Sequence, residues 1–169
     1  KIGVVGVNPD ALIMPVTVMQ SNGSGDVATI VKGIDYAAAN GADVISMSIG
    51  GYAYSIAEEQ ALAKAYSKAV IVAAAGNDAY DIEPKYLGAP MYPAAFTFAI
   101  GVQAIQSNGW LACFSNTDIE GPIKTDYDQE RMYNYEVSAP GYGIMSTYPG
   151  GRYITMNGTS MACPFVAGV

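Results

Sequence analysis

Histidine is absent from all 169 residues. That removes the side chain most often used as a general base near neutral pH and the commonest nitrogen ligand for metals. Charge is scarce as well. Only 14% of residues are Asp, Glu, Lys or Arg, and the net charge is −7. An acidic balance of this kind argues against nucleic acid and against anionic membrane surfaces as partners. No apolar run reaches the ~20 residues that a membrane-spanning helix requires. Lys1 opens directly onto a small apolar segment with no charged leader, so no signal peptide is expected in this stretch. The two cysteines, Cys113 and Cys163, stand in different small-residue contexts. One disulfide and two buried free thiols both fit, so cysteine usage leaves the compartment open.

Apolar residues and turn formers fill the space. The hydrophobic fraction is 51%, with 19 Gly and 9 Pro, which fits one domain with a sizeable core and many turns. Residues 12–19, "LIMPVTVM", read as a buried strand, and "SNGSGD" as the loop after it. "DVATIVKGIDYAAANG" reads as a helix. Asp26 is its N-cap, Val27, Ile30, Val31, Ile34 and Ala38 share a face, and Asn40-Gly41 end it. "DVISMSIGG" is a strand ending in glycines. "SIAEEQALAKAYSKA" is a second helix, with Ser55 as cap and Glu58 as capping-box partner. "VIVAAAGN" is a further strand, ending at Gly76 and Asn77. This alternation of near-continuous apolar strands with helices predicts an α/β fold: three layers, with a mostly parallel, doubly wound sheet.

After Asn77 the pattern loosens. Residues 78–96 read as loop, "TFAIGV" as a strand, and residues 116–136 as an acidic, Tyr-rich excursion. "GIMSTYPGGRYITM" predicts a hairpin around Pro149-Gly150-Gly151. There is no repeat and no linker. The sequence stops at Val169, inside the apolar helix that Ser160 opens. An unfinished helix leaves unpaired carbonyls and a bare apolar face. Residues 1–169 are therefore expected to be the C-proximal portion of one domain, incomplete at both ends.

Ligands of open parallel sheets gather beyond the carboxyl ends of the strands. "SIGG" (Ser48, Ile49, Gly50, Gly51), "AAAGN" (Ala73–Asn77) and the start of the "NGTSMACPFVAG" helix converge there. A serine at a helix N-terminus beside a side-chain amide makes an acyl-transfer site with an oxyanion hole. Ser160 is the expected nucleophile and Asn77 the oxyanion donor. The helix adds its own N–H at Ser160 and a dipole suited to developing negative charge. Pro164, read as lying in the first turn, is expected to remove no helical bond.

"NGTSMACPFVAG" resembles the serine motif of the subtilisin-like serine proteases, G-T-S-M-A-x-P-x-V-A-G. The likeness extends over nearly the whole chain in the family's order. "IGVVGVNPDALIMPVTVM" resembles the segment after the family's histidine helix, and "VIVAAAGN" its oxyanion strand. "VSAPG" resembles the turn before the serine hairpin. The family's triad runs Asp, His, Ser along the chain, which would place Asp and His upstream of Lys1. The resemblance implies a serine endopeptidase whose 169-residue portion is inactive by itself. It also implies that Gly23, Ser24, Gly25 and Ser48–Gly51 flank an extended peptide as β-augmentation edges. Ala74, Ala75, Gly76 and Thr159 would complete the substrate site. Phe165 stands where the family often has histidine, at a structural position, and residues 117–136 are longer than usual.

The resemblance further implies a peptide or protein substrate, the upstream part of the same domain and a propeptide as partners, and secretion or a cell-surface location. No cofactor and no metal ligands are read in this chain. Calcium remains open for the longer protein, because the family often binds it in a loop largely outside this sequence. Asp118, Glu120, Asp126, Asp128 and Glu130 lack EF-hand spacing and read as solvated surface. Lys32, Lys64 and Lys68 read as solvent-facing. Cys113 and Cys163 read as small core residues. Two other functions compete. A sedolisin-type hydrolase would need Asp where Asn77 stands. A pseudoprotease would bind peptides or a partner without cleavage.

Overall fold

The computed structural model describes residues 3–79, 90–117, 123–124, 130–131 and 135–169. Helix α1 spans Val27–Ala39, and Asp26 caps it by accepting from Thr29 N at 2.9 Å. Strand β1 (Val44–Met47) leads to α2 (Ile56–Tyr66), and α2 to β2 (Val70–Ala74). Strand β3 covers Ala99–Ile105. Two short strands, β4 (Ile123–Lys124) and β5 (Glu130–Arg131), pair antiparallel within the excursion. Then follow β6 (Val137–Pro140), the β7–β8 hairpin (Ile144–Tyr148 and Arg152–Met156) and α3 (Thr159–Ala167).

The main sheet has the order β1-β2-β3-β6, and every neighbouring pair is parallel. Its register sets Val44 beside Val70, Ile71 beside Ala99, and Val102 beside Val137. Side chains alternate across a strand, and β2 divides its own between two cores. Ile71 and Ala73 pack with Ile34 and Ala37 of α1 and with Ala61, Leu62 and Ala65 of α2. Val72 and Ala74 pack on the opposite face with Ala162 and Cys163 of α3. This is the predicted three-layer α/β architecture. Beyond Val70, β2 is buried on both faces, which is why it reads as a continuous apolar run, whereas Val44 and Ser46 of β1 and Val137, Ser138 and Pro140 of β6 are exposed.

Several expectations are corrected. Residues 12–19 form no strand: they are without ladder partners among the described residues, and Leu12 and Ile13 are 100% and 83% exposed. The apolar run signals burial, but only Val16 reaches the core, and Val18 lies over Gly33. A strand needs a neighbour to pair with, which composition cannot supply. "VSAPG" is more than a turn, since Val137–Pro140 is the fourth strand of the parallel sheet. On α1, Ile34 is buried and Ile30, Val31 and Ala38 pack partly, but Val27 is exposed. The capping box forms only in half. Ser55 Oγ accepts from Glu58 N at 3.3 Å, and no reciprocal bond forms among the described residues. The Glu58 side chain is 6% exposed instead, and burial pushes its carboxyl above the usual range. Cys113 is exposed, not core, whereas Cys163 is buried; neither forms a disulfide.

Candidate active site

Ser160 enters the site because α3 begins at Thr159, directly beyond the carboxyl ends of β1 and β2. Its hydroxyl donates to the Ser48 carbonyl at 3.3 Å. The Ser48 hydroxyl donates in return to the Ser160 carbonyl at 2.8 Å. This exchange has a cause in the helix. Pro164 lies in the second turn of α3, not the first as expected. It lacks the N–H that would bond to the carbonyl four residues back, which is that of Ser160. Ser48 fills the vacant place. The Ser160 N–H, in the first turn, has no acceptor among the described residues and stands available to a ligand.

Asn77 is held through one end of its amide. Its Oδ1 accepts from Thr159 N at 2.7 Å and from Thr159 Oγ1 at 3.1 Å. Thr159 is fully buried, and its Oγ1 accepts in turn from Gly76 N at 3.1 Å. With Oδ1 doubly occupied, Nδ2 is the free end, and Asn77 is solvent-exposed. A cleft of ≈ 240 Å³ joins these groups, lined by Ser48, Ile49, Gly50, Ala74, Gly76, Asn77, Asp78, Met91, Thr159 and Ser160.

Eight of the thirteen site residues expected from sequence thus line one cleft. The others do not. Ala75 is fully buried behind it, with its carbonyl taken by Asn116 Nδ2 at 2.9 Å. Gly51 pairs with Tyr92 in an isolated bridge. Gly23, Ser24 and Gly25 belong to a self-contained turn, closed by Gln20 N donating to Ser24 O at 2.8 Å and by Asn22 Oδ1 accepting from Ser24 N.

Two lining residues have no counterpart in the sequence reading. Met91 fills the space between two glycines: a Cβ on Gly50 would lie 2.8 Å from its Sδ, and one on Gly76 would lie 2.6 Å from its Cε. Asp78 brings a carboxylate to the rim, where the Tyr52 hydroxyl donates to it. Behind the cleft Cys163 is buried beside Ser46 and Val72 O, and burial pushes its thiol up, away from the reactive thiolate. The described residues contain no group of three or more His, Cys, Asp or Glu that could hold a metal ion. Asp118, Glu120, Asp126 and Asp128 lie outside the described residues, as does the side chain of Glu130.

The profile of the subtilase family of peptidases matches residues 1–169 from end to end. The chain belongs to the subtilase family. It is 42% identical over 167 residues to Subtilisin DY of Bacillus licheniformis, covering 98% of this chain and 55% of that protein. It is 41% identical over 169 residues to Subtilisin E of Bacillus subtilis, covering 99% and 40%. Among solved structures, Sphericase matches at a TM-score of 0.75 and 37% identity, over 89% of this chain and 50% of that one. The subtilase chain described here thus spans about half the length of the curated relatives it matches. No described helix is long and apolar enough to cross a membrane.

Proposed function

We propose that this subtilase chain carries the nucleophile and the oxyanion donors of a serine endopeptidase. The supporting observation is the Thr159–Asn77 pairing. It occupies Oδ1 of Asn77 and leaves Nδ2 free in the cleft that also holds Ser160. In this reading the Ser160 hydroxyl attacks a peptide carbonyl carbon and forms the tetrahedral intermediate. The new oxyanion accepts from Asn77 Nδ2 and from the Ser160 N–H at the positive end of α3. Collapse expels the amine and leaves an acyl-enzyme on Ser160, which water then hydrolyses.

The proton of Ser160 needs a base. No histidine exists among these residues, and Lys64 is engaged with Asp35 at 2.8 Å. The base and its orienting carboxylate are therefore assigned to residues beyond the 169. A propeptide, secretion and peptide or protein substrates belong to the same reading. No step of this reading depends on calcium. The walls formed by Gly50, Ala74 and Gly76 are uncharged, and Met91 makes the cleft apolar at depth, so a large apolar or aromatic residue is expected before the scissile bond.

The test is hydrolysis of a peptide library by the protein containing this chain. Cleavage after large apolar residues, abolished by Ser160→Ala, supports the proposal. Cleavage that survives Ser160→Ala contradicts it. So does a protein that binds peptides and cleaves none, which would be the pseudoprotease.

A further inference from the structure

Asn116 is 1% exposed, and each of its polar groups is used. Its backbone N–H donates to Gly76 O at 3.0 Å. Its Nδ2 donates to Ala75 O at 2.9 Å and to Tyr52 OH at 3.1 Å. Its Oδ1 accepts from Asp78 N at 3.0 Å. Its own carbonyl accepts from Ser115 Oγ at 3.0 Å, and Ser115 Oγ also accepts from Ala104 N of β3. The Asn116 side chain thus ties the loop on both sides of Asn77, and its backbone carbonyl is joined to the third strand through Ser115.

Gly76 shows how tight this fit is. It adopts φ +106°, and a Cβ there would lie 2.3 Å from Asn116 Nδ2. Asn77 therefore sits on a peptide whose two neighbours are both fixed from behind. The Tyr52 hydroxyl closes the outer side, accepting from Asn116 and donating to Asp78. Thr159 fixes the Asn77 side chain, while Asn116 fixes the backbone that carries it. An amide aimed at a developing charge acts only if its position survives that charge without rearrangement.

We infer that Asn116 is a positioning residue for the oxyanion loop, holding Asn77 in place through the Ala75, Gly76 and Asp78 backbone. This rests on the reading of Asn77 as the oxyanion donor. Asn116 never touches substrate, so its removal acts through Asn77.

A double-mutant cycle in the complete protease tests this, with kcat, KM and thermal midpoint measured for each variant. Asn116→Ala is expected to lower kcat by about tenfold with KM changed less than about twofold. Asn116→Ser, which keeps a buried hydroxyl but cannot span Ala75 and Asp78 together, is the variant to use if the alanine protein does not fold. In an Asn77→Ala background either substitution is expected to leave kcat unchanged while still lowering the midpoint. An equal loss of kcat in both backgrounds, or none in either, overturns the inference while leaving the role of Asn77 intact. If Asn77→Ala by itself leaves kcat unaltered, the oxyanion reading fails first and this inference with it.

Discussion

Thr159 decides what Asn77 offers the cleft. An amide presents an acceptor at one end and two donors at the other, and the Thr159 N–H and hydroxyl both address the acceptor. Asn77→Leu keeps the volume but removes the donor. It is expected to lower kcat by roughly 10²–10³ with KM little changed, a scale carried over from an oxyanion donor in subtilisin itself, a member of this family. Steady-state kinetics on one peptide substrate checks it, and an unaltered kcat counts against the assignment. Met91 carries a separate prediction. Its side chain fills the space between Gly50 and Gly76, so Met91→Ala deepens the cleft. Relative kcat/KM for tryptophan over leucine before the cut is expected to rise by roughly tenfold. That Ser160 and Asn77 would share a cleft was legible because each sits in a long, graded motif. Met91 and Asn116 were not. Both meet the site from loops distant in sequence, and neither stands in a pattern that marks it.

Among the elements, α3 shows most clearly how a local rule and a tertiary contact combine. Pro164 deprives the Ser160 carbonyl of its helical donor, and the Ser48 hydroxyl replaces it. Ser48→Ala is expected to cost about 1 kcal/mol of stability by urea unfolding. In a Pro164→Ala background, where the helix regains an N–H for that carbonyl, the cost should shrink markedly. Equal costs in both backgrounds would disprove the exchange. Helix α2 gives a pH prediction. The Glu58 carboxyl is buried and its pKa raised, so the folded state holds that proton more tightly than the unfolded chain. The penalty is absent below the unfolded pKa, grows as pH rises through the window up to the folded pKa, and is complete above it. Glu58→Gln should raise the melting temperature at neutral pH, and the gain should vanish in acid. Both helices were legible at their N-caps, because Asp26 and Ser55 act within four residues of chain, whereas α2 ends at Tyr66, short of the expected Ala69. Residues 12–19 were misread because apolar composition marks burial or pairing without saying which neighbour exists.

At the scale of the whole molecule, the parallel sheet was readable from the alternation of apolar runs and helices. The strand β6 was missed, because "VSAP" is short and ends in proline, and only its pairing with Val102–Ile105 makes it a strand. Two layers of helix on one sheet bring four distant stretches to one cleft: residues 48–50, Ala74 with residues 76–78, Met91, and residues 159–160. What the 169 residues do not contain is a histidine. The central claim is that Ser160 is a nucleophile whose base lies outside them. The most direct test is the mass of a fluorophosphonate adduct, mapped by peptide after brief exposure, on the complete protein and on residues 1–169 alone. The account predicts rapid labelling at Ser160 in the complete protein and none in the 169-residue chain, since an unassisted serine hydroxyl is barely ionised at neutral pH. Rapid labelling of Ser160 in the isolated chain, or an unlabelled Ser160 in the complete protein, would contradict it.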